Sequence, residues 1–215
     1  VKLSIIVPML NEAPSIARTL EAIRIAAPAA EIIEVARPRC DVVVSASRGR
    51  ALQMNTGAAR ASGDALVFVH ADTIVATTFA RDIEDALANP EVVGGRFDVR
   101  LDDNHPMCVL IGALISLRSR ISRTGTGDQA IFVRRRIFDT LGGFADMPIC
   151  EDLDFARRLK RAGRVACLRS KVITSARRWR NGGIMRTVLK MWKIRLLYLA
   201  GVPPARLART YYNVR

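Results

Sequence analysis

The sequence predicts an α/β fold: a mostly parallel sheet with helices on both faces, followed by a C-terminal helical tail. Three observations predict it. Short β-branched runs alternate with helical stretches over residues 2–90, the pattern that gives parallel strands joined by crossover helices. Half of the residues (50%) are hydrophobic, enough to cover both faces of a sheet. At 215 residues the chain suits one large domain, or one domain with an appendage.

The elements follow in order. "KLSIIVPML" (2–10) is a strand that Pro8 turns into a loop. "NEAPSIARTLEAIRIA" (11–26) is a helix with Ile16, Leu20 and Ile23 on one face and Asn11 or Ser15 as its cap. "EIIEV" (31–35) and "DVVVSA" (41–46) are strands two and three. A helix over 49–63, starting at Arg50 or Ala51 and stopped by Gly63, leads into strand four, "DALVFVHAD" (64–72). A helix over 77–90 precedes "EVVGGRFDVRL" (91–101), which alternates like a strand pair or an edge strand. Residues 107–121 form a helix, and 127–144 a strand, a short helix and a Gly-Gly turn. The helix over 150–163 opens with acids, as its dipole prefers. "VACL" and "KVITSA" are short strands, and the tail from Ile184 is helical with a break at Pro203-Pro204.

One connection conflicts with this scheme. A parallel crossover needs a dozen or more residues, yet only Ala36–Cys40 separate Val35 from Asp41. Either these strands form an antiparallel hairpin or the sequence lacks a segment there. "ARPRC" has neither the Gly nor the Asn of a tight hairpin. That favours the second alternative and predicts strand ends too far apart for five residues.

Composition narrows the partners. A formal charge of +14 and a pI near 10.9, carried by Arg more than Lys, point to an anionic partner. Nucleic acid, a phosphorylated small molecule or acidic lipid would serve, as would a merely solvated basic surface. Cys40, Cys108, Cys150 and Cys167 show no C-x-x-C spacing, which argues against zinc and for free thiols in a reducing, cytoplasmic compartment. No signal peptide is visible, since the first residues already read as a strand. The longest apolar run, "MCVLIGALISL" (107–117), is too short to span a bilayer. The chain is therefore expected to be soluble or to lie on the inner face of a membrane.

The acids stand where chemistry is expected. Glu12 follows strand one, Asp72 ends strand four, Asp128 lies in a Gly-flanked turn, and Glu151-Asp152 opens a helix. Ligands of open α/β sheets bind outside the carboxyl ends of the strands. A hard cation on a diphosphate takes one or two carboxylates and fills its remaining positions with phosphate oxygens and water. Asp72 can supply one carboxylate, and His70 can join if the metal is manganese. A capping Asp at a turn and a favourable acidic helix start are the plainer readings of the same residues.

The blocks "SIIVPMLNE", "GRALQMNTGA", "GDALVFVHADT", "GDQAIFVRRRIFDTLGGF" and "CEDLDFARRLKRAG" together resemble the family-2 glycosyltransferases of GT-A fold, a Rossmann-like architecture. "HADT" and "TSARRW" are similar to the bacterial subgroup labelled arsenosugar-biosynthesis-type glycosyltransferases. The resemblance covers residues 3–180, with a nucleotide-binding half over 1–75, an acceptor half over 76–180 and a basic amphipathic tail over 181–215. It implies an enzyme that moves a sugar from a UDP-, GDP- or dTDP-sugar to an acceptor hydroxyl, which can be lipid-linked. It further implies that Pro8 and Glu12 cradle the nucleoside and that Arg50 lies near the base or phosphates. Asp72, with His70, would bind Mn2+ or Mg2+. Asp128 and Gln129 would line the donor-sugar and acceptor side. Asp152 would be the catalytic base, with Glu151 as its partner. His70 replaces the first acid of the family's Asp-x-Asp, and the loop expected after strand two is missing.

One base and no covalent nucleophile imply inversion at the anomeric carbon. The tail puts Val188, Trp192, Leu196 and Leu199 on one face and Arg186, Lys190 and Lys193 on another. Such a helix over 184–200 either lies in a membrane surface or packs on its own domain. Arg177 and Arg178, just after a strand, either reach the donor diphosphate or are surface arginines. A nucleotidyltransferase would carry a Gly-rich, Lys-containing loop after strand one, which "PMLNEAPS" is not. The rival from another class is a basic nucleic-acid-binding module or a membrane-surface scaffold that has lost catalysis. Few aromatics (6%) and no binding motif weigh against nucleic acid.

Overall fold

β1 (Leu3–Val7) is buried along its whole length, and the sheet grows outward from it. The structure, a computed structural model, describes residues 1–9, 13–34 and 41–212. β1 pairs in parallel with β2 (Glu31–Glu34) on one side and β4 (Ala65–Phe68) on the other. β2 pairs in parallel with β3 (Val42–Val43). Beyond β4 the sheet continues through β7 (Ile131–Arg134), β6 (Val92–Leu101), β8 (Arg164–Thr174) and β5 (Thr73–Ile74). β7 runs antiparallel to both β4 and β6, β8 is parallel to β6, and β5 is antiparallel to β8. The sheet is thus mixed and mostly parallel, as the alternation of elements predicts.

Alternation along the strands explains why both faces are covered. Leu3, Ile5 and Val7 of β1 with Ala65 and Val67 of β4 share one core with Leu20 and Ile23 of α1 (Ala13–Ala26) and Phe79 and Ile83 of α3 (Phe79–Ala88). Ile6, Leu66 and Phe68 point the other way. They meet Met54 of α2 (Arg50–Arg60), Phe138 of α5 (Arg135–Thr140) and Phe155 of α6 (Glu151–Ala162). Phe68 and Phe144 meet edge to face at 4.8 Å in this second core. α4 (Pro106–Ser122) packs on the sheet beyond them, tied by Ser116 Oγ to the backbone of Val99.

Several elements differ from the sequence reading. In place of a strand pair or edge strand over 91–101, Val92–Leu101 form one long strand between β7 and β8. The two short strands after residue 164 are one, because β6 offers a continuous partner as far as Leu101. β5 and the short helix α7 (Arg177–Gly182) were not foreseen; two residues of strand and six of helix carry too little periodicity to be read. The Pro203-Pro204 break starts a new helix, α9 (Pro204–Tyr212), with proline in its first turn.

The β2–β3 connection is corrected in one respect. The Asp41 N–H donates to the Ile32 carbonyl at 3.0 Å, and the Ile32 N–H donates to the Asp41 carboxylate. The ends are therefore close rather than too far apart, and the pairing is parallel rather than an antiparallel hairpin. Residues 35–40, on which the missing-segment reading rests, lie outside the described residues.

The tail is packed against the chain that precedes it. Ile194 of α8 (Ile184–Leu199) with Leu207 and Ala208 of α9 shares a buried cluster with Ile149, Cys150 and Leu153. The stripe foreseen on α8 is split. Val188 packs beside Cys108 and Ile111 of α4, while Trp192, Leu196 and Leu199 are exposed. Among the described residues no helix is long and apolar enough to cross a membrane.

Candidate active site

The register of β4 and β7 assembles the first half of the site. Antiparallel pairing sets Phe68 opposite Ile131, so the residues just before β7 lie beside those just after β4. His70 and Asp128 meet there, with Nδ1 to Oδ1 at 3.3 Å. His70 opens a β-turn closed by the Thr73 N–H on its carbonyl at 3.0 Å, with Asp72 as the third residue. Asp128 sits in a single 3₁₀ turn, Gly127–Gln129. Gly127 has to be glycine for a steric reason: a Cβ there would lie 2.4 Å from His70 Nε2.

α6 delivers the second half. Asp152 Oδ2 accepts the Gly127 N–H at 2.8 Å, and Oδ1 accepts the Leu153 N–H at 2.7 Å. Each oxygen keeps a lone pair for a further donor. Glu151 is buried and ion-paired with Arg50, the first residue of α2. Burial works against the Arg50 charge, but Glu151 and Asp152 outweigh it and hold the guanidinium ionised. A crevice of about 10 Å³, about the size of one water, lies between Arg50, His70, Gly127, Glu151 and Asp152.

Backbone strain collects at the 3₁₀ turn and at the start of α6. Among the described residues three non-glycine residues have positive φ, and two of them stand at the acids: Ala130 follows the 3₁₀ turn and Cys150 precedes α6. Such conformations are held by their surroundings and cluster at functional sites. The Cys150 thiol is pushed up to about 12 by burial and by the charges of Asp152 and Glu151, so it is no nucleophile at neutral pH. Asp128 is half-exposed. Partial burial opposes its ionisation, but His70, Arg178 and Arg50 prevail and hold its carboxyl well below the usual range.

The residues singled out in the sequence are placed as follows. Pro8 is buried immediately after β1, and Glu12 lies outside the described residues. Arg50, His70, Asp128, Glu151 and Asp152 come together. Asp72 is half-buried in the turn that follows β4. Gln129 is a correction to the reading that it lines the donor-sugar side. It is fully buried, its amide nitrogen donates to Phe97 O and Ser119 Oγ, and its oxygen accepts from Thr126 N and Oγ1. All four of its hydrogen-bonding positions are thus used within the protein, two in the turn and two on β6 and α4. His70 as a metal ligand fits poorly, since Nδ1 faces Asp128 and Nε2 packs on Gly127. Among the described residues no three His, Cys, Asp or Glu side chains converge into a metal set. A cation held mainly by diphosphate oxygens needs only one or two protein ligands, and Asp72 suits that smaller requirement.

Sequence reasoning missed the neighbouring, partly buried Arg118 and Arg195 and the buried Arg96–Asp98–Arg120 network. An arginine in the middle of a buried strand, "GGRFDV", was the available signal for the network.

The profile of Glycosyl transferase family 2 matches residues 24–142, more than half of the chain, and the chain belongs to that family. The match stops before α6, so Glu151 and Asp152 lie outside it. No curated protein sequence matches the chain. Among solved structures it is similar to TarS of S. aureus, with TM-score 0.63 and 14% identity over 92% of this chain and 40% of that one. It is also similar to the mannosyltransferase PcManGT from Pyrobaculum calidifontis in complex with GDP-Man and Mn2+, with TM-score 0.64 and 20% identity over 90% of this chain and 60% of that one. TarS 1-349 in complex with UDP-GlcNAc gives TM-score 0.59 and 16% identity over 81% and 58%. At these identities the likeness speaks for the GT-A fold, and the chain spans 40–60% of the length of these three proteins.

Proposed function

We propose that the chain is a glycosyltransferase that moves a sugar from a nucleotide-sugar to an acceptor hydroxyl, with inversion at the anomeric carbon. The observation that carries this reading is Asp152. It is a carboxylate on the crevice at the strand ends, oriented by two backbone N–H groups, and among the described residues it makes no ion pair. Glu151 differs because Arg50 already holds it. Asp152 is therefore the acid suited to accept the acceptor's proton, and Glu151 with Arg50 holds the head of α6 in place.

The donor lies across the carboxyl ends of β1 and β4, with Pro8, Arg50, Asp72 and Asp128 around it and Glu12 assigned to the nucleoside. His70 orients Asp128 from below, and Arg178 adds positive charge on the diphosphate side. A divalent cation, when bound, would neutralise the diphosphate and ease its departure; Asp72 is the ligand we assign to it. The ligands named for the structural neighbours, UDP-GlcNAc and GDP-Man with Mn2+, support a UDP- or GDP-sugar donor, and dTDP-sugars stay in the set to be tested. "HADT" and "TSARRW" support the arsenosugar-type subgroup.

The reading includes peripheral contact with the cytoplasmic face of a membrane through residues 184–200. Of the twelve exposed large hydrophobic side chains among the described residues, five lie on α4 and five on α8. Met185, Leu189, Trp192, Leu196 and Leu199 form a stripe along α8, with Arg186 and Lys193 nearby.

A thermal-shift panel of UDP, GDP, dTDP and their sugars, with and without Mn2+, tests the donor site. At least one nucleotide should stabilise the chain, more so with Mn2+, and Asp72→Asn should remove the Mn2+-dependent part alone. A chain that no nucleotide stabilises would sink the reading.

A further inference from the structure

A larger cleft, of about 430 Å³, lies between α6, the end of α4 and α8. Its charge is of one sign. Arg157, Lys160 and Arg161 come from a single face of α6, Arg195 comes from α8, and Ser122 and Thr124 add hydroxyls. No acid is among its lining residues. The cleft is large enough for a sugar-sized group as well as an anion.

Arg195 distinguishes this cleft from a solvated basic surface. Its Nη1 is buried without a hydrogen-bond partner among the described residues, and its Nη2 reaches only Thr124 Oγ1 at 3.5 Å. Arg118, on α4 nearby, has Nε and Nη2 buried and equally without acceptors among the described residues. Burial and the charge of Arg195 push the Arg118 guanidinium down to about 10. Buried guanidinium donors without acceptors are costly, and the oxygens of an anion in the cleft would supply what Arg195 lacks. Leu153, the residue after Asp152, also lines the cleft, and the Arg195 guanidinium feels the Asp152 charge. The cleft thus lies within electrostatic reach of the carboxylate assigned as the base.

We propose that this cleft is an acceptor subsite that binds a phosphate ester, with Arg195 at its inner end and Arg157, Lys160 and Arg161 along its wall. The term acceptor rests on the transferase reading, whereas the phosphate site stands on the cleft itself. A phosphate held at Arg195 leaves the rest of the acceptor to present its hydroxyl to Asp152. The phosphate belongs either to a lipid headgroup or to a water-soluble molecule; Leu199, which lines the cleft and is exposed, is compatible with both.

The test is calorimetry on the full chain with glycerol 1-phosphate, performed with and without the nucleoside diphosphate that stabilises it best. Arg195→Gln should weaken glycerol phosphate at least tenfold, and Arg161→Gln, an exposed position, about threefold, with nucleotide affinity unchanged within twofold. Glycerate, a carboxylate of similar size, should bind more weakly than the phosphate. If wild type does not bind glycerol phosphate, or if neither variant weakens it, the proposal is overturned. Arg161→Gln keeps the test decisive should Arg195→Gln fail to fold. Vesicles containing phosphatidylglycerol separate the two sources. Vesicle binding that is lost in Arg195→Gln and displaced by glycerol phosphate supports a lipid headgroup. Vesicle binding indifferent to Arg195, with glycerol phosphate still bound through it, supports a soluble acceptor. A chain that binds glycerol phosphate through Arg195 but no nucleotide keeps the subsite and removes the transferase reading.

Discussion

Asp152 and Glu151 are adjacent in the chain, yet their surroundings divide the work between them. Among the described residues Asp152 accepts only N–H donors of the backbone, while Glu151 is buried and paired with Arg50. Asp152→Asn should therefore leave donor-diphosphate affinity nearly intact and lower turnover by about 10²–10⁴-fold, the usual contribution of a positioned base. Calorimetry and product formation measured on the same preparation check this, and turnover at the wild-type rate would move the role to Asp128. Glu151→Gln should act differently. It removes the charge of a buried carboxylate whose partner Arg50 is partly exposed to water, so it should lower stability by about 1–3 kcal/mol, read as a shift in the urea midpoint. Gly127→Ala is the third test at this scale. The added methyl would lie 2.4 Å from His70 Nε2, and overpacking of that kind costs about 1–3 kcal/mol. It should also displace the N–H that orients Asp152, so activity should fall further than stability alone explains.

At the scale of elements, β6 and α4 are joined by charge as well as by packing. Asp98 on β6 lies between Arg96, itself almost fully buried, and Arg120 of α4. Asp98→Ala would strand both guanidinium groups and should cost about 3–5 kcal/mol, measurable by denaturant unfolding. α8 presents the opposite case, an apolar stripe left exposed among the described residues. Leu189 and Trp192 are 65% and 51% exposed, so Leu189→Glu and Trp192→Glu should leave the melting temperature within about 2 °C, since surface changes seldom exceed about 0.5 kcal/mol. Binding to anionic vesicles, followed by sedimentation, should drop severalfold in both variants. Vesicle binding unchanged by either would remove the membrane role of α8.

For the whole molecule, the dependence of stability on pH follows from three carboxylates. Partial burial raises Glu31, Asp41 and Asp128, but hydrogen bonds and nearby cations outweigh it in each case. Glu31 is held down by Ser4, Ser62 and Lys2, Asp41 by Ile32 N–H and Arg24, and Asp128 by His70, Arg178 and Arg50. All three are lower in the fold than in the unfolded chain, where carboxyls titrate near about 4. The stability they contribute is present above about pH 5 and is lost as pH falls through the ordinary carboxylate range. A melting series from pH 7 to pH 3 should be flat at first and then decline. A melting temperature that rises on acidification would contradict these assignments.

What could be read from the sequence was what local pattern dictates. β-branched runs alternating with helical faces gave the sheet its mostly parallel character, because side-chain period alone decides which residues a strand or helix can bury. Ordered blocks such as "GDALVFVHADT" pointed to the family, and the acids at strand ends pointed to the region of the site. Tertiary structure decided which partner each acid has. Arg50 and Glu151 are 101 residues apart, and His70 meets Asp128 only because β7 returns antiparallel to β4 in a register no local pattern encodes. Gln129 reads as a polar turn residue, yet the turn folds it inward onto Phe97 and Ser119. The exposed stripe on α8 and the basic cleft beside α6 depend on which helix face meets a neighbour. The hydrophobic period marks that a face is apolar, but only packing determines whether it is covered.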